Sequence, residues 1–189
     1  MRQLAICVPP RNLPRERGAV AVEFALVVPV LLLLVFGFID YGAYYSDVVG
    51  VRQGAREAAR QGSVASWGAA CSPSGASGSA HVQALMCQAR TAAMTAGTGT
   101  VQAKVRFVDC ALGPCTDAPY PAKADIDSGN STASIRICLS ATHASLTHYV
   151  PFPADGVITT KVDFRIENVP AAGTETAGTT SASTDWSWC

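Results

Sequence analysis

Seven cysteines, three histidines and a handful of carboxylates are the residues of this chain whose types could do chemistry. Cys71, Cys87, Cys110, Cys115, Cys138 and Cys189 all follow a long apolar run, and Cys7 precedes it. An even set of cysteines in an exported segment reads as disulfides, because an oxidising compartment favours them. Cys110 and Cys115 close a short loop containing Gly113 and Pro114, and Cys71 with Cys87 and Cys138 with Cys189 are a guess for the remainder, since sequence alone does not separate the 15 connectivities that six cysteines allow. A zinc site built from Cys110, Cys115, His143 and His148 has usable ligand types, but it lacks the tight spacings that structural or catalytic zinc motifs show, so no metal is predicted. The run Asp125-Ile126-Asp127-Ser128-Gly129-Asn130 faintly resembles a calcium loop without its distal bidentate Glu, and reads as a polar loop. No nucleophile elbow, HExxH or phosphate-cradling glycine loop occurs, and Ser145 beside His143 and His148 carries no catalytic pattern. The reading is therefore of a protein that is not an enzyme and uses no cofactor.

These residues depend on an amino-terminal third of unusual composition. Of the 189 residues 49% are hydrophobic and 15% charged, with formal net charge +0, so no basic field exists to hold nucleic acid by displacing counterions. The apolar excess sits between Ala19 and Ile39, where Glu23 is the one ionisable residue. At about 1.5 Å rise per residue this run covers the roughly 30 Å hydrocarbon core of a bilayer. Arg2, Arg11, Arg15 and Arg17 precede it against a single acid, Glu16, which predicts a cytoplasmic amino terminus and an extracytoplasmic remainder in a single-pass membrane protein. Arg52, Arg56 and Arg60 weaken that asymmetry without reversing it. A cleaved signal peptide is disfavoured, since the run is too long and no small-x-small pair closes it.

Beyond the membrane, Tyr41, Tyr44, Tyr45, Val48, Val51, Ala55, Ala58 and Ala59 recur at helical spacing, so the helix continues to about Gln61. A Gly/Ser/Ala-rich loop follows, then a second helix capped by Ser79, with Val82, Leu85, Met86, Ala89 and Ala93 on its apolar face and Gly97 as its stop. The period then changes to two. Val101 to Phe107, Ala133 to Leu139 and Ile158 to Ile166 alternate apolar with polar residues, which predicts three half-buried strands. The expected fold class is α+β and pilin-like: a long amino-terminal transmembrane helix continuing into an exported domain with a second helix and a small antiparallel sheet of about three strands. The expected organisation is a basic leader at 1–18, a transmembrane helix at 19–40, an exported α+β domain at 41–170 and a flexible Ser/Thr/Gly-rich tail at 171–189, whose end Trp186, Trp188 and Cys189 can pin.

The membrane entry is more specific. Gly18-Ala19-Val20-Ala21-Val22-Glu23-Phe24, Pro29 within the apolar run, Asp40-Tyr41 at its end, and Gly54-Ala55-Arg56-Glu57-Ala58-Ala59-Arg60-Gln61-Gly62 beyond together resemble the TadE-like family of Flp-type pseudopilins. The resemblance covers residues 17 to about 62. It implies cleavage of the Gly18–Ala19 bond by a prepilin peptidase, with Gly18, Ala19, Glu23 and Phe24 as the processing site, and a role as a minor pseudopilin in assembly, priming or tip structure of a tight-adherence pilus. The implied partners are membrane lipid, the peptidase, other pilin or pseudopilin subunits and the pilus assembly machinery. Glu23 is the residue that an apolar helix least tolerates, and the resemblance gives it the new terminal ammonium as partner; snorkelling to the headgroups is its other reading. The alternative function is an unprocessed single-pass anchor whose outer domain binds a partner outside the cell.

Overall fold

The computed structural model describes residues 16–69, 71, 73, 75–94, 98–110, 113–129, 131–145, 156–170, 174–181 and 184–189. It divides into two compact units, Met1–Ile39 and Asp40–Cys189. The fold is α+β: α1 (Glu16–Ser63), α2 (Ala80–Ala93), β1 (Thr98–Asp109), β2 (Thr116–Asp117), α3 (Lys123–Asp127), β3 (Ala133–His143), β4 (Val157–Arg165) and β5 (Gly178–Thr179).

In the first unit the described residues are helical, and their apolar side chains lie open: Phe24, Leu26, Leu33 and Phe38 are all exposed. Pro29 sits inside α1, where its ring removes one backbone hydrogen bond, a loss that membrane helices accommodate. Among the described residues, α1 is the one helix long and apolar enough to cross a membrane. An unburied apolar surface of that extent has no stable place in water, and fits a single-pass membrane protein.

The second unit has its own core. The carboxyl-terminal part of α1 contributes Val51, Ala55, Ala58 and Ala59, and α2 contributes Val82, Leu85, Met86, Ala89 and Ala93. Both pack on one face of an antiparallel sheet of order β2-β1-β3-β4, through Val101, Ala103, Val105 and Phe107 of β1 and Ile135, Ile137 and Leu139 of β3. The helices approach closely because small residues line their contact. A Cβ added at Gly54 would stand 2.8 Å from the Ala89 carbonyl oxygen and 2.9 Å from the Ala93 nitrogen. Ser79 takes the N-cap position of α2, as its residue type implies, but its hydroxyl makes no cap hydrogen bond and is directed to Glu175 instead. The expected helix stop, Gly97, lies outside the described residues, as do Cys7 and the leader to residue 15.

Three long strands form, as the alternation implies, and two short ones join them. β2 and β5 share the free edge of β1, β2 pairing at Val108 and Asp109 and β5 at Lys104 and Val105. The described part of 171–189, expected from its composition to be a flexible tail, contributes β5 to the sheet. Thr180 donates its amide to the Ala103 carbonyl and its hydroxyl oxygen accepts from the Ala103 amide, and both Glu175 and Thr180 are buried. Composition signals disorder only when a segment has nothing to pair with, and here an unpaired strand edge supplies the partner. The crossing at Gly78 and Gly178 admits no side chain: Gly78 has φ +100°, and a Cβ on Gly178 would lie 2.1 Å from the Ser77 carbonyl oxygen.

The outer face of the sheet carries a charged row across the strands. Arg106 and Arg136 stand opposite one another on β1 and β3, a repulsive pairing relieved by one carboxylate each. Arg106 bonds Asp117 through Nε at 2.7 Å and Nη2 at 2.5 Å, and Arg136 bonds Asp163 through Nε and Nη2, both at 2.7 Å. The carboxyl-terminal residues also cover this face, which is why Cys138 is fully buried and Arg136 nearly so although the alternation of β3 points them outward. Asp125 and Asp127 belong to α3 rather than to an ion-binding loop, and Asp127 is paired with Lys123 at 2.9 Å; Asn130 is outside the described residues.

Candidate functional site

Two regions hold the residues singled out by sequence, the start of α1 and the second unit. Gly18, Ala19, Glu23 and Phe24 all lie on α1, within its first turns. A helix returns to the same face after four residues, so the Ala19 nitrogen and the Glu23 side chain stand one turn apart. A hydrolysed Gly18–Ala19 bond would thus place an ammonium one turn from the carboxylate, the kind of partner an acid in an apolar helix requires. Gly18 itself has nothing within 4 Å of where a Cβ would stand, so no packing in this chain calls for glycine there. The same four residues are exposed, Phe24 to 70%.

Residues 18–60 match the family model described as TadE, TadE-like protein. This segment is TadE-like. No curated protein and no solved structure matches the chain. The TadE-like segment ends within the packed part of α1, and the structure explains why small residues recur there. Gly54, Ala55, Ala58 and Ala59 are the positions against which α2 and the sheet close, and a Cβ at Gly62 would meet Ile135 Cδ1 at 2.5 Å. The alanines are legible from their helical period, whereas the packing role of Gly54 and Gly62 is visible only once α2 and β3 lie against them.

In the second unit the TadE-like segment also supplies a buried polar cluster. Asp40, Tyr44 and Asp47 follow one another at i, i+4 and i+7, on one face of α1. Asp40 is fully buried, and Asp47 Oδ2 lies 2.6 Å from His143 Nδ1, with side chains 1% and 0% exposed. The Tyr44 ring meets the His143 ring edge-on at 5.4 Å. Carboxylates are almost never fully buried without partners, so this hydrogen-bonded pair fixes where the end of β3 meets α1. Sequence marked Asp40 as the end of the apolar run and left Asp47 unremarked, because its partner is distant in the chain.

The same geometry disperses the zinc reading. His143 ends β3, whereas Cys110 follows Asp109, which pairs with Ala133 at the other end of that strand. Ten residues of strand separate the two ends, on the order of 33 Å. His148 lies outside the described residues. Cys110, Cys115 and Asp163 do offer three ligand-type atoms within 4.8 Å of one another. However, the two sulfurs stand at bonding distance and Asp163 is engaged by Arg136 through both guanidinium contacts.

All six cysteines of the second unit lie as pairs at disulfide distance: Cys71 with Cys87, Cys110 with Cys115 and Cys138 with Cys189, their Cα atoms 6.1, 4.2 and 5.9 Å apart. Cys138 and Cys189 tie the chain end to the central strand, and Arg136 Nη1 donates to the Cys189 carbonyl at 3.1 Å. A second tie holds the segment before β5. Glu175, buried, accepts from the Ser79 hydroxyl and lies 2.7 Å from His81 Nδ1, whose ring stacks on Trp67. A carboxylate there also faces the amino terminus of α2, the end that favours negative charge. Burial, with the Glu175 carboxylate adding to it, pushes the nearby Tyr120 phenol up to about 12.

Proposed function

We propose that this protein is a minor pseudopilin of a tight-adherence (Flp) pilus, contributing to assembly, priming or tip structure, and that it has no catalytic activity of its own. The TadE-like match of residues 18–60 carries the proposal, since that family points to Tad/Flp pilus systems. In this reading the leader is cytoplasmic, the second unit is extracytoplasmic with its cysteines oxidised, and a prepilin peptidase cuts after Gly18. Its partners are the peptidase, membrane lipid, and the pilin subunits and assembly machinery. The four-residue spacing of Ala19 and Glu23 supports the processing step, because the new ammonium and the carboxylate would share a helix face.

A second reading rests on one observation. The Gly18–Ala19 bond lies inside the helix that begins at Glu16, and proteases cut extended backbone, so the peptidase would have to unwind the first turn. An unprocessed, single-pass anchor that binds a partner outside the cell avoids that step. The amino-terminal sequence and intact mass of the membrane-extracted protein, from cells with and without a prepilin peptidase, separate the two. A terminus at Ala19 that requires the peptidase supports the pseudopilin, and an intact leader in both strains supports the anchor. Gly18→Leu should retain the leader while the second unit folds normally, since no neighbour restricts a side chain at Gly18. Maturation of Gly18→Leu to the same size as the native chain would refute the site.

A further inference from the structure

The outer face of the sheet, away from the two helices, is not flat. The carboxyl-terminal residues form a wall along it, and the groove between wall and sheet has a volume of about 470 Å³, within the roughly 300–1,000 Å³ of small-molecule clefts. Its floor is a set of short polar side chains in register: Gln102 of β1 stands opposite Ser140 of β3, which stands opposite Thr159 of β4, and Thr142 follows Ser140 on the same face. Its wall is Trp188 with Asp185. Both are held in place. Trp188 Nε1 donates to the Asp185 carbonyl at 2.9 Å, and the Ser187 amide donates to Asp185 Oδ1 at 2.9 Å. The backbone contact from Ser187 keeps the Asp185 carboxyl below its usual range, so it stays an acceptor in mildly acid conditions. Cys189 anchors the wall to Cys138, and Lys161 Nζ donates to the Trp188 carbonyl at 3.4 Å.

The chemistry of this lining selects a ligand class. Hydroxyl side chains both donate and accept, which matches a ligand bearing several hydroxyls. Gln102 Oε1 already accepts from Thr180 Oγ1 at 2.8 Å, leaving its amide nitrogen as a donor. An indole face at the rim suits the apolar C–H face of a sugar ring. Among the lining side chains Asp185 is the charged one, so phosphates and other anions are repelled. The floor side chains stand on strands, and ordering them on binding costs little. A merely solvated sheet face would show the same hydroxyls, but not an aromatic wall fixed across them by the chain terminus.

We propose that this groove is a binding site for a neutral saccharide. The site does not depend on whether Gly18–Ala19 is cut. The test uses the full chain in phospholipid nanodiscs free of glycolipid and sugar detergent, with ligand-observed saturation-transfer NMR. The probes are maltotriose, cellotriose, lactose and N,N′-diacetylchitobiose. At least one should bind saturably with half-saturation at about 1 mM, a weak affinity that suits a shallow cleft. Trp188→Ala should weaken that binding at least about tenfold. Thr159→Val, which leaves the wall intact, should weaken it about threefold. Circular dichroism and the intact mass of the Cys138–Cys189 pair confirm that each variant is folded. Lack of saturable binding by all four probes up to about 20 mM, or unchanged binding in both folded variants, overturns the proposal.

Discussion

The three cysteine pairs close loops of very different length, and their contributions to stability should rank in that order. Residues 138 and 189 are 51 positions apart, 71 and 87 are 16 apart, and 110 and 115 are 5 apart. A covalent link removes conformational freedom from the unfolded chain by an amount that grows with the logarithm of the loop, giving about 4, 3 and 2 kcal/mol for the three pairs. Replacing both members of a pair by alanine removes the link with little change of volume. The largest loss, about 4 kcal/mol, is therefore expected for Cys138→Ala with Cys189→Ala, and it should grow if the carboxyl-terminal wall also detaches. Urea unfolding of the full chain in detergent, followed by tryptophan fluorescence, measures this, because Trp67, Trp186 and Trp188 all lie in the second unit. Intact mass under alkylating conditions checks that the untouched pairs remain oxidised. If the Cys110/Cys115 variant loses as much as the Cys138/Cys189 variant, the loop argument is refuted. If the Cys138/Cys189 variant loses under about 1 kcal/mol, the chain end is not covalently held.

Two other expectations follow from the packing. Gly54→Ala should destabilise the second unit by about 1–3 kcal/mol, because the new methyl would meet backbone atoms of Ala89 and Ala93 that cannot turn aside; the same unfolding assay reads it, and an unchanged midpoint would count against the α1–α2 contact. The Tyr120 phenol is held up to about 12, so its contribution to stability is complete below pH 10 and is lost as pH rises from 10 through 12. Absorbance at 295 nm should show a late-titrating tyrosine that Tyr120→Phe removes.

The sequence alone determined the elements whose signals are local. The membrane-length apolar run, the helical period through Ala59, the second helix and the three alternating strands are each written in neighbouring residues, so the α+β class could be read without coordinates. The TadE-like segment was legible for the same reason, because its residues follow one another along a single helix. What required tertiary structure was every feature whose partners are remote. The tail looks disordered by composition, yet among its described residues Glu175, Gly178 and Thr179 find partners at the start of α2 and on the edge of β1. Asp47 and His143 stand 96 positions apart, and nothing local to either shows their pairing until α1 and β3 meet. Gly54 reads as a weak helix residue until Ala89 lies against it, and Cys138 reads as outward-facing until the chain end covers it. Periodicity reports which face of an element is buried, but not which distant segment buries it, and that choice belongs to the packed whole.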